Sequence, residues 1–237
     1  MQEEFNDYIA SGINNQNLIA EQKRTFMKNY ERFFPQDKKS FVLDIGIGRG
    51  EMLWCMKERG FDNYLGIDIS PSVVEYCRKA GYNCELVEDA VGFLNKNPNR
   101  FSVITMLDVL EHIELEKVVG FLSAIKTALA PGGKFIVQTP NMQAPYGYMT
   151  RYHDITHKFG VDERSLGQLL VSAGFHDYKC YSYEDIIADS PLAICRRAAR
   201  GPYRFTVRVL RYINGMLNSK ILSSRIYAVA KKENADQ

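Results

Sequence analysis

Short apolar runs alternate with amphipathic stretches along most of the chain, and this alternation predicts the architecture. Leu18, Ile19, Phe26, Tyr30 and Phe33 recur at mixed three- and four-residue spacings, which predicts a helix over 14–34 that breaks at Pro35. Phe41–Ile45 reads as a buried strand ending in glycines, and Glu51–Arg59 as a helix stopped by Gly60. Tyr64–Ile67 predicts a second strand. Pro71 stands where a first helical turn tolerates proline, behind a cap at Ser70, and that helix runs to Ala80. Cys84–Val87, Phe101–Leu107 and Lys134–Thr139 predict three more strands, with helices over Ala90–Lys96 and Leu115–Leu129 between them. Strands separated by helices in this way imply βαβ units and a mostly parallel sheet. Residues 141–161 then form a long loop rich in Tyr, His and Met, of a kind that usually serves a function in a compact domain. A helix capped by Asp162 spans Glu163–Ala173, and Phe175–Tyr183 alternates like a sixth strand. Residues 184–222 read as helical and basic, divided at Gly201-Pro202, and Arg225–Ala230 reads as a last strand.

Composition narrows the class. The 237 residues are 46% hydrophobic and 24% charged, which is globular usage and excludes a disordered, collagenous or coiled-coil protein. The length suits one domain with an appendage. No run approaches the roughly 18 apolar residues of a membrane span, and the acidic, polar N-terminus does not resemble a secretory signal. Five scattered cysteines without a CxxC pair read as reduced thiols, which places the protein in the cytoplasm. The net charge of +2 hides an asymmetry: residues 191–232 hold ten Lys or Arg and no Asp or Glu. The remainder, with 20 basic and 28 acidic residues, is acidic. A segregated basic tail implies an anionic partner or surface for that segment.

The chemistry centres on Asp44-Ile45-Gly46-Ile47-Gly48-Arg49-Gly50, which follows a strand and opens a helix. Such glycines let the backbone turn tightly and approach a ligand beyond the carboxyl ends of the strands. Two ligand classes compete, a nicotinamide or flavin dinucleotide and S-adenosylmethionine. The dinucleotide GxGxxG pattern would need its third glycine at position 51, which is Glu. A pyrophosphate would also be repelled by Asp44 and Glu51, whereas the ammonium and sulfonium of S-adenosylmethionine would be favoured. Asp68 ends the second strand, where a carboxylate accepts ribose hydroxyls in either class.

On these residues the chain resembles a class I S-adenosylmethionine-dependent methyltransferase over residues 38–183. Asp44 to Gly50 resembles the family's first motif, Gly66-Ile67-Asp68-Ile69-Ser70 the ribose-binding segment, and Val87-Glu88-Asp89-Ala90 the segment that touches adenine. Leu107-Asp108-Val109-Leu110-Glu111-His112 resembles the segment that closes over the methionine moiety, and Leu129-Ala130-Pro131-Gly132-Gly133 the turn before the fifth strand. The resemblance implies an α/β fold with a Rossmann-like, doubly wound seven-stranded sheet, its last strand antiparallel, and a helical insertion before that strand. It implies cofactor contacts at Asp44, Gly46, Gly48, Gly50, Asp68, Ile69, Asp89, Ala90, Leu107 and Asp108. The chain then divides into an N-terminal helical segment (1–37), the cofactor-binding core (38–183), a basic helical insertion (184–223) and a final strand and tail (224–237).

The acceptor is read from two further resemblances. Glu111-His112-Ile113 and Thr139-Pro140-Asn141 resemble small-molecule methyltransferases, including those acting on quinones. Tyr152-His153-Asp154-Ile155-Thr156-His157, with Ser165-Leu166, Leu169-Leu170 and Ala173-Gly174-Phe175, resembles methyltransferases of surface-polysaccharide (O-antigen or capsule) gene clusters. The leading expectation is O-methylation of a sugar hydroxyl on a lipid-linked or nucleotide-linked glycan. A phenolic or quinone-type lipid is the rival acceptor. A module that binds the cofactor without catalysis, or an NAD-dependent enzyme, is the rival of another class.

Methyl transfer needs the acceptor oxygen and methyl group held close and aligned, and a hydroxyl acceptor needs a base for its proton. His153 and His157 lead as bases, with Asp154 orienting one imidazole; the bland alternative is a histidine that packs the loop. His112 either caps the next helix or acts as base. Asp108 and Glu111 either meet the cofactor or acceptor or begin a solvated helix. A metal site of His153, Asp154 and His157 would require a helical segment, and nothing before Gly160 signals one. Tyr146, Tyr148 and Tyr152 either stack on a sugar or pack the loop.

In the tail, Arg197, Arg200, Arg204, Arg208 and Arg211 share one helix face if the helix is continuous. Such a helix reads as binding an anionic membrane surface, glycan or lipid pyrophosphate, or as an ordinary solvated face. Nucleic acid is disfavoured by the acidic body and sparse lysines. The insertion is expected to form an acceptor-side lid or docking element.

Overall fold

The computed structural model describes residues 16–185, 191–216 and 220–234. Helix α1 (Gln16–Tyr30) comes first, followed by β1 (Val42–Ile45), α2 (Glu51–Glu58), β2 (Tyr64–Asp68), α3 (Pro71–Lys79) and β3 (Cys84–Leu86). Next come α4 (Ala90–Asn95), β4 (Phe101–Leu107), a single 3-10 turn (Leu110–His112), α5 (Leu115–Ala128) and β5 (Leu129–Pro140). The chain ends with α6 (Gly147–His153), α7 (Glu163–Ser172), β6 (Asp177–Ser182), α8 (Pro191–Ile213) and β7 (Arg225–Lys231).

The strands form one seven-stranded sheet in the order β3-β2-β1-β4-β5-β7-β6. Strands β1 to β5 pair in parallel, and β7 runs antiparallel to both β5 and β6. The strand order reverses between β1 and β4, which is where a doubly wound sheet opens a crevice for ligands. All four residues of β1 are buried, as a strand covered on both faces must be. One face carries Leu43, Ile104, Phe135, Leu122 and Leu170; the other carries Val42, Val103, Ile136, Leu53 and Tyr30. Tyr30 thus docks α1 onto the sheet, with Tyr227 edge-on to it at 5.2 Å. Leu18 and Ile19, expected on that inner face, have side chains outside those described.

Local chemistry sets the element boundaries. Asp89 caps α4 by accepting from the Gly92 N–H at 2.9 Å. Asp162 and Ser165 cap α7 reciprocally. Phe175 is buried at the α7 exit, its N–H bonded to the Leu170 carbonyl, so β6 begins at Asp177 and not at Phe175. Strand β5 starts at Leu129 and not at Lys134. The Pro131-Gly132-Gly133 stretch is absorbed as an irregularity in the pairing with β4 between Phe101 and Val103. Its Gly132 N–H bonds to the Lys232 carbonyl.

Two expectations are corrected. The 141–161 segment is not all loop, since Gly147–His153 forms α6. Residues 191–213 form one helix, not two. Pro202 removes one backbone donor, but the helix is exposed at this point, so water can satisfy the freed carbonyl; Thr206 Oγ1 donates to the Pro202 carbonyl at 3.1 Å.

Candidate functional site

The carboxyl ends of β1, β2, β4 and β5, at the cleft that the reversal of strand order opens, gather several acids, of which Asp44 and Glu111 are buried. After β1 the chain passes through Gly46, Gly48 and Gly50, with φ of 75°, 51° and 80°. A Cβ at Gly46 would lie 2.3 Å from Val109 Cγ2, so the residue must be glycine on both conformational and steric grounds. Beneath the loop, Asp44 is buried and accepts from Thr105 Oγ1 at 2.6 Å. Burial pushes the Asp44 carboxyl up to about 7; the Thr105 hydroxyl opposes this, while Glu51 and Asp68 add to it. Burial also raises Asp68, against the pull of the backbone N–H groups of Ser70, Gly48 and Ile47.

After β4 the chain turns at Asp108, whose φ of 53° is left-handed for a non-glycine residue. Asp108 Oδ2 accepts from Gln138 Nε2 at 3.0 Å and lies 3.3 Å from Arg225 Nε. Its Oδ1 is buried without a hydrogen-bond partner among the described residues. Tyr30 donates to Gln138 Oε1, so α1 is tied to β5 and, through Gln138, to Asp108 after β4.

The second half of the site lies on the turn after β4 and the return of the 141–161 segment. Glu111 is 2% exposed, and its Oε2 accepts from Thr139 Oγ1 at 3.1 Å. The Lys158 N–H bonds to the Glu111 carbonyl at 2.7 Å and pins the returning chain across the turn. This places His157 and His112 ring to ring, with centroids 4.8 Å apart. His157, its side chain 9% exposed, has Nε2 at 3.9 Å from both Glu111 Oε1 and Asp154 Oδ2. Its Nδ1 is buried with no partner among the described residues. Thr156 Oγ1 donates to Asp154 Oδ1 at 2.6 Å and lies 2.8 Å from His112 Nδ1. A hydroxyl has one proton, so His112 must carry its own on Nδ1. Burial, followed by His157, lowers the His112 pKa and keeps that ring neutral. Burial, and after it Asp108, raises Glu111. Burial also acts to raise Asp154, but the Thr156 bonds and the two histidines outweigh it and the net shift is downward.

The expected site residues separate accordingly. Asp44, Gly46, Gly48, Gly50, Asp68, Leu107 and Asp108 meet at the cleft; Ile69 follows Asp68 with its side chain exposed, and Ala90 opens α4. Asp89, expected at adenine, is engaged as a helix cap. The two candidate bases, His153 and His157, lie apart. His153 ends α6 with its side chain exposed, and His112 stands beside His157. No metal site is expected from the sequence, the trio of His153, Asp154 and His157 being only a minor alternative; the residues whose ligand atoms do gather within 4.8 Å of one another are Glu111, His112 and His157. One carboxylate and two imidazoles are donors of the zinc type. Tyr146, which precedes α6, and Tyr152 on α6 are exposed. Arg197, Arg200, Arg204, Arg208 and Arg211 lie on α8, where Arg211 bonds to the Gln143 carbonyl. Gln138, Thr105 and Arg225 escaped the sequence reading, and Thr139 entered it only as part of a motif. Nothing in local spacing marks Arg225, which opens β7 opposite Pro140.

The first half of the site suits the expected cofactor. Three carboxylates, two of them desolvated enough to be raised, stand at the ends of β1, β2 and β4 beside the glycine turn. The orphaned Asp108 Oδ1 needs a donor or cation. An ammonium and a sulfonium supply the charge, and a ribose supplies hydroxyls for Asp68.

Comparisons with known proteins agree with this geometry. The family described as methyltransferase domain matches residues 18–179. The chain is similar to the ubiquinone biosynthesis O-methyltransferase of Idiomarina loihiensis, 32% identical over 108 residues, which span 42% of each chain. The curated relatives it matches are covered over less than half of their own length. In fold it is similar to an S-adenosylmethionine-dependent methyltransferase from Archaeoglobus fulgidus, with a TM-score of 0.65 and 22% identity, covering 92% of this chain and 100% of that one. It is similar also to Haemonchus contortus phosphoethanolamine N-methyltransferase 2 solved with S-adenosylmethionine, at a TM-score of 0.61 and 18% identity, covering 97% of this chain and 60% of that one.

Proposed function

The chain belongs to the methyltransferase-domain family, whose methyl donor is S-adenosylmethionine, and on that premise we propose that it methylates a hydroxyl oxygen, with a sugar of a lipid-linked or nucleotide-linked surface glycan as acceptor. The observation that carries the O-methyl reading is the buried Glu111–His157 pair beside the cofactor cleft.

S-adenosylmethionine, when bound, supplies an electrophilic methyl group. Asp44 and Asp108 would hold its cationic end, and Asp68 its ribose. His157 Nδ1, the buried ring atom without a partner among the described residues, would take the proton from the acceptor hydroxyl. The resulting imidazolium would stand with Nε2 between the carboxylates of Glu111 and Asp154, at 3.9 Å from each. A positioned base of this kind contributes about 10²–10⁴-fold. A sugar hydroxyl ionises less readily than a phenol, whose pKa is about 10, so a dedicated buried base serves it more. The exposed rings of Tyr146, just before α6, and of Tyr148 and Tyr152 on it offer apolar faces of the kind that pack against pyranose rings.

The second reading is a phenolic or quinone-type lipid acceptor, favoured by the ubiquinone-biosynthesis relative. Methyl-labelled S-adenosylmethionine, incubated with the protein and a lysate lacking it, tests both. Label in acid-hydrolysable carbohydrate supports the glycan. Label in an organic-soluble aromatic product overturns it in favour of the second reading, and label on nitrogen overturns O-methylation.

A further inference from the structure

Helix α8 turns its charged side toward the body and its apolar side toward solvent. Its least exposed positions are Arg200, Arg204, Val207 and Arg211, spaced 4, 3 and 4 as one face of a helix. From that face Arg200 reaches Asp185 at 3.7 Å and Arg211 bonds to the Gln143 carbonyl, while Arg208 bonds to the Lys220 carbonyl at 3.2 Å. The opposite half carries Leu192, Ile194, Phe205, Val209, Tyr212 and Ile213, all exposed: Phe205 is 67%, Tyr212 77% and Ile213 71% in contact with solvent. Projected at 100° per residue, the apolar side chains cover about half the circumference, and arginines occupy an arc of about 120° with Arg196 and Arg208 at its two edges. An exposed continuous apolar face of this length, rimmed by cations, marks a docking surface.

We infer that α8 docks the protein onto an anionic lipid bilayer surface, with its outward apolar face in the headgroup–acyl boundary and its flanking arginines at the phosphates. Charge selects this occupant. Residues 191–216 contain six arginines and no Asp or Glu. A second copy laid against this face would bring two such helices together with no acid between them, whereas an anionic leaflet supplies counter-charge for Arg196 and Arg208 at the rim of the apolar face. No helix among the described residues is long and apolar enough to cross a membrane, so this contact lies in the interface. Through Arg211 and Gln143 the helix is joined to the segment that carries α6 and His157. Docking therefore sets the acceptor side of the cleft near the lipid surface. The inference stands whether the acceptor is a glycan or a quinone.

The test is sedimentation of the full chain with vesicles of phosphatidylcholine alone and with about one third phosphatidylglycerol. The wild type is expected to bind the anionic vesicles at least tenfold more tightly, roughly, and to be released by salt. Phe205→Glu with Ile213→Glu should lose about tenfold or more of that binding while retaining the wild-type helix signal and cofactor affinity. Should that variant fail to fold, Arg196→Gln, on the exposed rim, should weaken binding about fivefold. Failure of the wild type to bind anionic vesicles, equal binding to neutral ones, or wild-type binding by the folded variants overturns the inference. Lipid-free self-association abolished by the Phe205/Ile213 variant overturns it in favour of a second copy.

Discussion

Thr105 Oγ1 on β4 donates to Asp44 Oδ1 on β1 at 2.6 Å, across the two strands between which the sheet order reverses. The bond holds a buried carboxylate directly under the glycine turn, with burial pushing it up to about 7. Asp44 is therefore held in place and poised between its two protonation states near neutrality.

That poise has a definite sign. The folded-state value of about 7 exceeds the ordinary value of 3.8, so the folded protein holds the extra proton between those pH values. Ligand-free stability is accordingly fully present below about pH 4 as far as Asp44 is concerned, and declines as pH rises to about 7, with a slope of up to about 1.4 kcal/mol per pH unit. Cofactor affinity should move oppositely, rising as Asp44 ionises to meet a cation. Asp44→Asn should flatten both profiles and weaken S-adenosylmethionine binding by about tenfold or more, as loss of a charged hydrogen-bond partner does. Denaturant melts and calorimetric titration between pH 5 and 8, about the span in which the group changes charge, measure both. Identical pH profiles for wild type and variant would remove Asp44 from the account.

Glu111 and His157 should matter for turnover and little for cofactor binding. His157→Ala is expected to lower kcat by about 10²–10⁴-fold with the S-adenosylmethionine Kd nearly unchanged. Burial pushes the Glu111 carboxyl up to about 8, so it would ionise as the imidazolium forms; Glu111→Gln keeps the Thr139 contact but removes that ionisable group, and should lower kcat in the same direction. His153→Ala, at the exposed end of α6, should leave kcat within about twofold, as surface changes away from a site usually do. A His157→Ala enzyme with full turnover sinks the base assignment. Loss of wild-type turnover on chelation, restored by a divalent cation, would reassign Glu111, His112 and His157 to metal binding.

What was legible beforehand follows from the range of the interactions. The strand–helix alternation, the glycine turn and the acids ending β1, β2 and β4 are written in local spacing, and each lies where the sequence places it. The histidine cluster is not local. His112 and His157 are brought together by the Lys158–Glu111 backbone bond, and no periodicity encodes a contact between residues so far apart. The separation of His153 from His157 is likewise not local: it follows from α6, which ends at His153 with that side chain exposed. Arg225 and Gln138 reach Asp108 from β7 and β5, a consequence of strand order that the linear pattern does not contain. Pro202 suggested a helix break, and the break failed because an exposed helix can surrender one backbone bond to water.

Gly46 should tolerate no side chain. Its φ of 75° disfavours a Cβ, and that Cβ would lie 2.3 Å from Val109 Cγ2. Gly46→Ala should destabilise by about 1–3 kcal/mol from backbone strain alone, more if Val109 cannot shift, and should also weaken cofactor binding. Adding Val109→Ala should recover the steric part and leave the strain. A fully wild-type melt for Gly46→Ala would show that the turn relaxes more easily than this geometry allows.

Tyr30 tests whether the N-terminal helix takes part in the site. Its hydroxyl donates to Gln138, Gln138 donates to Asp108 at 3.0 Å, and Arg225 approaches the same Asp108 oxygen at 3.3 Å. Tyr30→Phe keeps the ring against Tyr227 but leaves the buried Gln138 oxygen without its donor. That should cost about 1–3 kcal/mol of stability. The released amide can then rotate, and Asp108 loses its fixed orientation beneath the cofactor. A several-fold rise in the S-adenosylmethionine Kd should therefore accompany the stability loss, with kcat at saturating cofactor little changed. Asp108→Asn combined with Tyr30→Phe gives the decisive comparison. If α1 acts through Asp108, the double variant's cofactor affinity should be closer to that of Asp108→Asn alone than additivity of the two single effects would place it. Strict additivity would confine Tyr30 to packing and separate α1 from the site.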